Sequence, residues 1–412
     1  MTKHGILAGL LTLLIACPVL FGQEWTRFRG PNGTGVNSTK PLPASWTKDN
    51  ILWKRSIPGQ GHSSPVLWGD NVFVTSSERK TGTRMVLCVD AKNGKVKWQK
   101  SFTAKKYRMH KRNSVATSTP TVDSKHVYLA WATPESLTVM ALDHKGETVW
   151  EKDLGKWKGN HGYGVSPILY KDLLVLANDQ DKTGSILALK SQSGDIAWKI
   201  ARKSGNATYA TPCVYRAEGQ MDQLIFTNWQ HGITAVNPDN GKTLWEMSVF
   251  EPAKKERSIA SPLVADDLVI GTCGFVTAQK HFVAIKPGTK NTAPKELWRE
   301  EQIVSYLPTP IILDGLIFCC TETGIAVCRE LKTGDLVWKK RLDSNFYASP
   351  VSDGKHIYCV STDGDVIVLA ASRTFEMVSQ NALGDAAQAT PAISGGKLFI
   401  RTASQLICVG QK

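Results

Sequence analysis

Asn178-Asp179-Gln180-Asp181 is the densest run of carboxylate and amide oxygens in the 412-residue sequence. Hard oxygen donors of this kind are what a calcium-type cation takes. The same composition is also that of a solvated turn, in which Asn and Asp side chains bond their own backbone. The run follows an apolar strand pattern and is read as such a turn. Cys319-Cys320 is the second candidate. It lies in Leu316-Ile317-Phe318-Cys319-Cys320-Thr321, where successive side chains of a strand point to opposite faces, so the two thiols are expected to face apart. No Ser/His/Asp order, zinc-spaced Cys/His set or phosphate loop occurs. No catalytic residue and no metal ligand is therefore assigned.

Binding residues are easier to nominate. His62, Asn113, His161, Tyr163, Tyr209, Arg257, Tyr306, Tyr347 and Gln388 sit just ahead of recurring Ser/Thr-Pro steps. An aromatic, His- and amide-rich set of this kind suits stacking on and hydrogen bonding to a polar ligand or an extended peptide. It also suits rings that merely plug an opening by packing on one another. The stretch "QKSFTAKKYRMHKRNS" carries Lys100, Lys105, Lys106, Arg108, Lys111 and Arg112 without an acid, interleaved with Phe102, Tyr107 and Met109. Such a loop could meet anionic lipid headgroups, an acidic protein or an anionic glycan, or could be a solvated loop that aids solubility.

The elements that position these residues repeat. Pro65, Pro120, Pro167, Pro212, Pro262, Pro310, Pro350 and Pro391 each follow Ser or Thr and lie roughly 40 to 55 residues apart, the length of a four-stranded propeller blade. A closing Trp recurs as Trp98, Trp150, Trp198, Trp245, Trp298 and Trp338, usually with Gly four residues earlier to turn the hairpin. Copy five departs, with a longer connection through Pro287, Gly288 and Pro294. Copy seven shows Phe375 instead of Trp, and copy eight ends after its third strand. The orphan strand Ile51-Leu52-Trp53-Lys54 supplies what copy eight lacks, which removes the exposed edges of the ring. The sequence thus predicts an all-β, eight-bladed β-propeller of four-stranded antiparallel blades, closed by an N-terminal strand. The seven Trp (Trp53 with the six above) are structural. Trp68, Trp131, Trp157 and Trp229 lie off the repeat and are freer to act.

Composition fits one large soluble fold. At 42% hydrophobic and 21% charged residues, the chain is neither disordered nor a disulfide miniprotein. Residues 1–22 have a basic start and a short apolar core, the pattern of a secretory signal. An alternative signal, Leu14-Ile15-Ala16-Cys17, would leave Cys17 lipidated. Residues 23–50 read as an extended N-terminal segment and 51–412 as a single propeller. Cys88, Cys328 and Cys408 fall where other copies carry Ala141, Ala188, Ala235 and Ala284, so they are expected to be small core residues. The formal charge is +14, but export sets nucleic acid aside as a partner. A monomer is expected.

The third strand and closing turn, "VLCVDAKNGKVKW" and "VMALDHKGETVW", resemble the quinoprotein-type (PQQ-like) propellers. That group includes the pyrroloquinoline quinone (PQQ) dehydrogenases and the non-enzymatic BamB-type outer-membrane assembly lipoprotein. "WTRFRGPNGTGV" and "GQGHSSPVLWGDNVFVTS" look like exported members from planctomycete-type bacteria. For a dehydrogenase the resemblance implies PQQ, a Ca2+ ion, a carboxylate base and an adjacent-Cys disulfide over the cofactor. The chain has no long insertions to roof such a group. The expectation is an exported, non-catalytic binding or scaffold protein for an envelope or extracellular protein, with no cofactor. The alternatives are a PQQ/Ca-dependent oxidoreductase of alcohols or sugars, and a carbohydrate- or polyanion-binding module.

Overall fold

The computed structural model describes residues 25–411, apart from 108, 109, 111, 112, 160, 251–255 and 276–278. The signal segment and Cys17 lie outside the described residues. Thirty-two strands form eight four-stranded antiparallel sheets, in a ring of blades. Blade one comprises Val66–Trp68, Asn71–Ser77, Arg84–Asp90 and Val96–Phe102, counted from the channel outwards. Its second and third strands are buried along almost their whole length, whereas the outermost strand is largely exposed. The sequence follows suit: continuous apolar runs where both sheet faces meet neighbouring blades, and charged residues on the rim. Blade eight is Ala392–Ser394, Lys397–Arg401 and Gln405–Gly410, completed by Ile51–Ser56, as the sequence predicts.

The Ser/Thr-Pro steps explain themselves at the channel. The N–H of each Ser or Thr donates to the hydroxyl of its counterpart in the next blade: Ser64 to Thr119, Thr119 to Ser166, Ser166 to Thr211, and so on to Thr390, at 2.9–3.2 Å. These seven links form a belt that alternates Ser and Thr. At the eighth interface the Ser64 hydroxyl has no partner. There Arg401 of blade eight reaches instead into blade one, donating to Ser63 Oγ at 3.0 Å and to the Thr75 carbonyl.

On the outside, each Trp docks on the following blade. Trp98 Nε1 donates to His144 O at 2.8 Å and Trp150 Nε1 to Ser191 O at 2.8 Å, and Trp53, Trp198, Trp298 and Trp338 do likewise. The turn Gly makes this possible twice over. Gly94 has φ +71°, and a Cβ there would lie 2.7 Å from the Trp53 ring of the preceding blade. Where the longer copy follows, Trp245 of blade four instead donates to Gln223 Oε1 of its own blade at 2.7 Å. Phe375 is not the Trp counterpart in blade seven. Ser379 holds that register, opposite Val368, while Phe375 takes the turn position and packs edge-on to Trp338 at 5.2 Å.

The N-terminal segment, from Trp25 onwards, bonds to the inner strands of the ring. Trp25 O accepts from Leu67 N, Thr26 O from Val122 N, and Asn32 pairs with the Val214 backbone. Arg29 is fully buried and donates to five carbonyls: Gly33, Thr34, Thr309, Pro310 and Pro350. Burial, with a smaller push from Arg27, draws its pKa down to about 9, so it stays charged at neutral pH. The chain then crosses blades seven and eight through Asn37 and Leu42. Ala44 O accepts from Ser379 and Asn381 of blade seven, where the docking Trp is missing.

Replacing Arg29 by Met leaves those carbonyls without a donor, each worth about 1–3 kcal/mol when buried. Arg29→Met is expected to lose at least about 3 kcal/mol in urea unfolding, and Arg29→Lys to recover only part, because an ammonium cannot fork across several carbonyls.

Candidate functional site: a blind funnel at the channel mouth

The Ser/Thr-Pro belt leaves the residues just before it at the mouth of the central channel. A cavity of about 690 Å3 opens there. Of the nine residues nominated from the sequence, eight line it: His62, Asn113, His161, Tyr209, Arg257, Tyr306, Tyr347 and Gln388. Tyr163 does not. It is buried behind the wall, with its hydroxyl donating to Ala177 O at 2.9 Å and its ring edge-on to Trp157 at 5.1 Å. One residue per blade entry suffices for the rim, and His161 takes the place in that copy.

The N-terminal segment, whose Arg29 bonds the entries of blades six and seven and whose Asn32 bonds blade four, plugs the far end of the funnel, and its Phe28 forms part of the lining. His110, Phe275 and Leu307 join the walls. Sequence reasoning missed these four. Phe28 lies in no repeat, and His110 and Phe275 sit in connections of variable length, so no register could place them. The aromatic wall is continuous in places, with His110 stacked 4.6 Å from His161, His161 edge-on to Tyr209 at 6.1 Å and Phe275 beside Tyr306 at 6.2 Å.

Arg257 is the one Arg or Lys among the described lining residues, which include no carboxylate. Its Nη1 donates to Ala207 O at 3.2 Å, lies 4.0 Å from Asp181 Oδ1, and the guanidinium sits 6.0 Å from the Tyr209 ring centre. Asp181 Oδ1 in turn accepts from Ala207 N at 2.8 Å. The guanidinium is thus oriented from behind.

Asn178-Asp179-Gln180-Asp181 is not the solvated turn that its composition suggests. Asn178, Asp179 and Gln180 are buried. Asp179 receives Arg202 through a bidentate pair and Asn228 Nδ2 at 3.0 Å, so its oxygens serve to lock blade three to blade four. This donor set is spent on nitrogen donors. Neither it nor the acid-free funnel lining fits a divalent cation under a quinone, or a carboxylate base beside one. Among the described residues no His/Cys/Asp/Glu group could hold a metal ion. No reaction step through PQQ is derived.

Two further expectations change. Lys100 belongs to the outermost strand Val96–Phe102 and lies 3.5 Å from Glu147, so it is not part of an acid-free loop. Arg108, Lys111, Arg112 and Met109 lie outside the described residues. Lys105 and Lys106 remain in the connection, which Tyr107 pins through its hydroxyl to Ala132 O at 3.0 Å. Lys106 and Arg79 line a second cavity of about 470 Å3 beside the funnel. Of the Trp thought freer to act, Trp131, Trp157 and Trp229 are buried and pack within the fold. Trp68 is half-buried beside the core.

A closed ring of eight blades, seven of them bearing the outer Trp, with a one-ended cavity is an eight-bladed β-propeller of the PQQ-like repeat type. The chain belongs to the family whose model is described as outer membrane protein assembly factor BamB, which matches residues 45–206, 86–339 and 295–410. It is similar to the Yersinia pestis protein of that name, with 23% identity over 297 residues covering 67% of this chain and 71% of that protein. The Salmonella typhimurium counterpart is 23% identical over 313 residues, covering 61% and 75%. Among solved structures, BamB from Moraxella catarrhalis superposes with a TM-score of 0.65 at 14% identity, over 87% of this chain and 99% of that one. The quinohemoprotein alcohol dehydrogenase from Comamonas testosteroni gives 0.71 at 12% identity, over 94% and 80%. At such identities these structures share the fold alone.

Two funnel histidines make the fold acid-sensitive. Burial, and then the charge of Arg401, lowers the His62 pKa to about 4. Burial, then Arg257 and His110, does the same for His161. An unfolded chain binds protons at these sites from about pH 6.5 downwards, whereas the folded one does so only near pH 4. Their contribution is therefore intact above pH 6.5 and is lost as pH falls through this window. Urea midpoints are expected to drop between pH 6.5 and 4, and the slope to flatten in His62→Gln/His161→Gln.

Proposed function

We propose that this protein is a non-catalytic binding or scaffold component of the cell envelope, which holds an envelope protein partner through the funnel face. The observation that carries this reading is the funnel itself. It is closed at its far end, walled by Tyr, His and Phe, free of carboxylates among its described lining residues, and provided with one buttressed cation. Such a site offers stacking surface and one anion contact, but no carboxylate among its described lining residues to take a substrate proton. Its volume takes a few side chains, so a chain end or loop tip of the partner enters it rather than a strand threading through. Tyr209 and Tyr306 grip the inserted segment, and Arg257 meets an acidic side chain or terminal carboxylate.

Membership of the BamB family supports the envelope setting, as does the signal-like segment of residues 1–22, with lipidation at Cys17 as its variant. Lys105 and Lys106 lie in the connection beside the funnel and add attraction to an acidic partner or to anionic lipid or glycan. The protein acts as a monomer in this reading, since the funnel is complete within one chain.

A photo-crosslinking residue at Tyr347 or Gln388 is expected to capture an outer-membrane assembly component in cells, and one at Asn93, on the opposite face, to capture none. Arg257→Gln should weaken that capture roughly tenfold or more, as loss of a desolvated charge contact does, with the fold intact by circular dichroism. Equal capture from both faces would refute the funnel. A bound quinone band with dye-linked alcohol oxidation after addition of PQQ and Ca2+ would refute the non-catalytic reading.

A further inference from the structure

Eight cysteines are described, and all are buried thiols. Cys88, Cys328 and Cys408 sit opposite the docking residues Trp98, Trp338 and Trp53, as packing residues. Cys319 and Cys320 do face apart, since they are adjacent in the strand Leu316–Cys320 of blade six. Cys320, however, meets a thiol with which no repeat pattern pairs it. Its Sγ lies 3.1 Å from that of Cys359, in the strand His356–Val360 of blade seven. Even carbon atoms pack best at roughly 3.5–4.0 Å, so two sulfurs at this distance are closer than ordinary non-bonded contact. The register position of Cys359 is held by Val74, Leu129, Leu176 and Phe226 in other blades, so the repeat does not require a thiol there.

We propose that Cys320 and Cys359 form a disulfide that staples blade six to blade seven when the chain folds in an oxidising compartment. The oxidant is a disulfide of the thiol–disulfide exchange class. One cysteine thiolate attacks it to give a mixed disulfide and release one thiol. The second cysteine then displaces the other thiol, so two protons and two electrons leave the protein and the oxidant becomes a dithiol. Exchange takes place before the two blades close. In the folded protein both side chains are buried, and the contact with Cys359, together with burial, holds the Cys320 thiol uncharged. The same burial protects the finished bond from reductants. A short movement of the two blades brings the sulfurs from contact to bonding distance, about 2.05 Å.

The test uses the full chain, exported with its own N-terminal segment, quenched in acid, unfolded and alkylated without reductant. The expected result is one linked peptide containing Cys320 and Cys359, lighter by two hydrogens than the separate peptides, with every other described cysteine labelled. The same bond is expected when the reduced, unfolded chain refolds in a glutathione redox buffer, and the oxidised protein should melt several degrees above the reduced one. Cys359→Ala should abolish both the linked peptide and the redox dependence of melting, whatever its own stability. Full labelling of Cys320 and Cys359 in both preparations, or linkage through Cys319, overturns the proposal.

Discussion

The hydroxyl belt around the channel is the interaction on which the remaining architecture depends. The innermost strands are only two or three residues long, too short to hold a blade in place by pairing alone, and each is preceded by a Pro without an N–H. The Ser or Thr before that Pro therefore becomes the attachment point. Its N–H and its hydroxyl are both near the axis and would be costly to bury unpaired. Passing each N–H to the next blade's hydroxyl satisfies both in one contact and fixes the spacing of the blades around the axis. The carbonyls of the same steps, Thr309, Pro310 and Pro350 among them, are then left pointing to the axis, where Arg29 collects them. The belt uses the N–H groups, and Arg29 the carbonyls, of the same Ser/Thr-Pro steps.

The outer circumference repeats this logic with a larger side chain. A Trp indole needs a carbonyl from the next blade and a turn without a Cβ beneath its ring, and the two requirements travel together in sequence. Where one fails, something else fills the place. Gln223 of the same blade accepts from Trp245 where the longer copy follows, and Phe375 packs against Trp338. The N-terminal segment covers the blade that lacks a Trp. The eighth interface lacks the belt link, and Arg401 takes its place; the chain break falls inside blade eight, where the borrowed strand Ile51–Ser56 completes the sheet.

A ring closed in this way leaves the funnel at its mouth, and the chemistry of that cavity is decided by few residues. The same scaffold carries dehydrogenases elsewhere, so the fold is silent on activity. Here the oxygen donors that could have served a cation are committed to Arg202 and Asn228. The funnel is left with aromatic rings, His62 and His161 held neutral by burial, and Arg257. Even Arg257 is tied to the blade interface through Ala207 and Asp181, so ligand contact and ring packing share one network.

Blade number, strand order, ring closure and seven Trp positions were all legible in the sequence, because each rests on a local pattern that recurs eight times and needs no knowledge of distant partners. The rim was legible for the same reason: a residue before Ser/Thr-Pro inherits its place from the repeat. Tyr163 shows the limit, since two candidates competed for one entry and only packing chose between them. What lay outside the repeat could not be read. The plug, the floor residue Phe28, the burial of Asp179, the pairing of Lys100 and the approach of Cys320 to Cys359 all join segments far apart in the chain. The local sequence carries no record of which side chain waits across a blade interface. That record exists only once the belt has set the blades at their spacing, and it was the tertiary structure that turned an acidic turn into a lock and an open channel into a blind funnel.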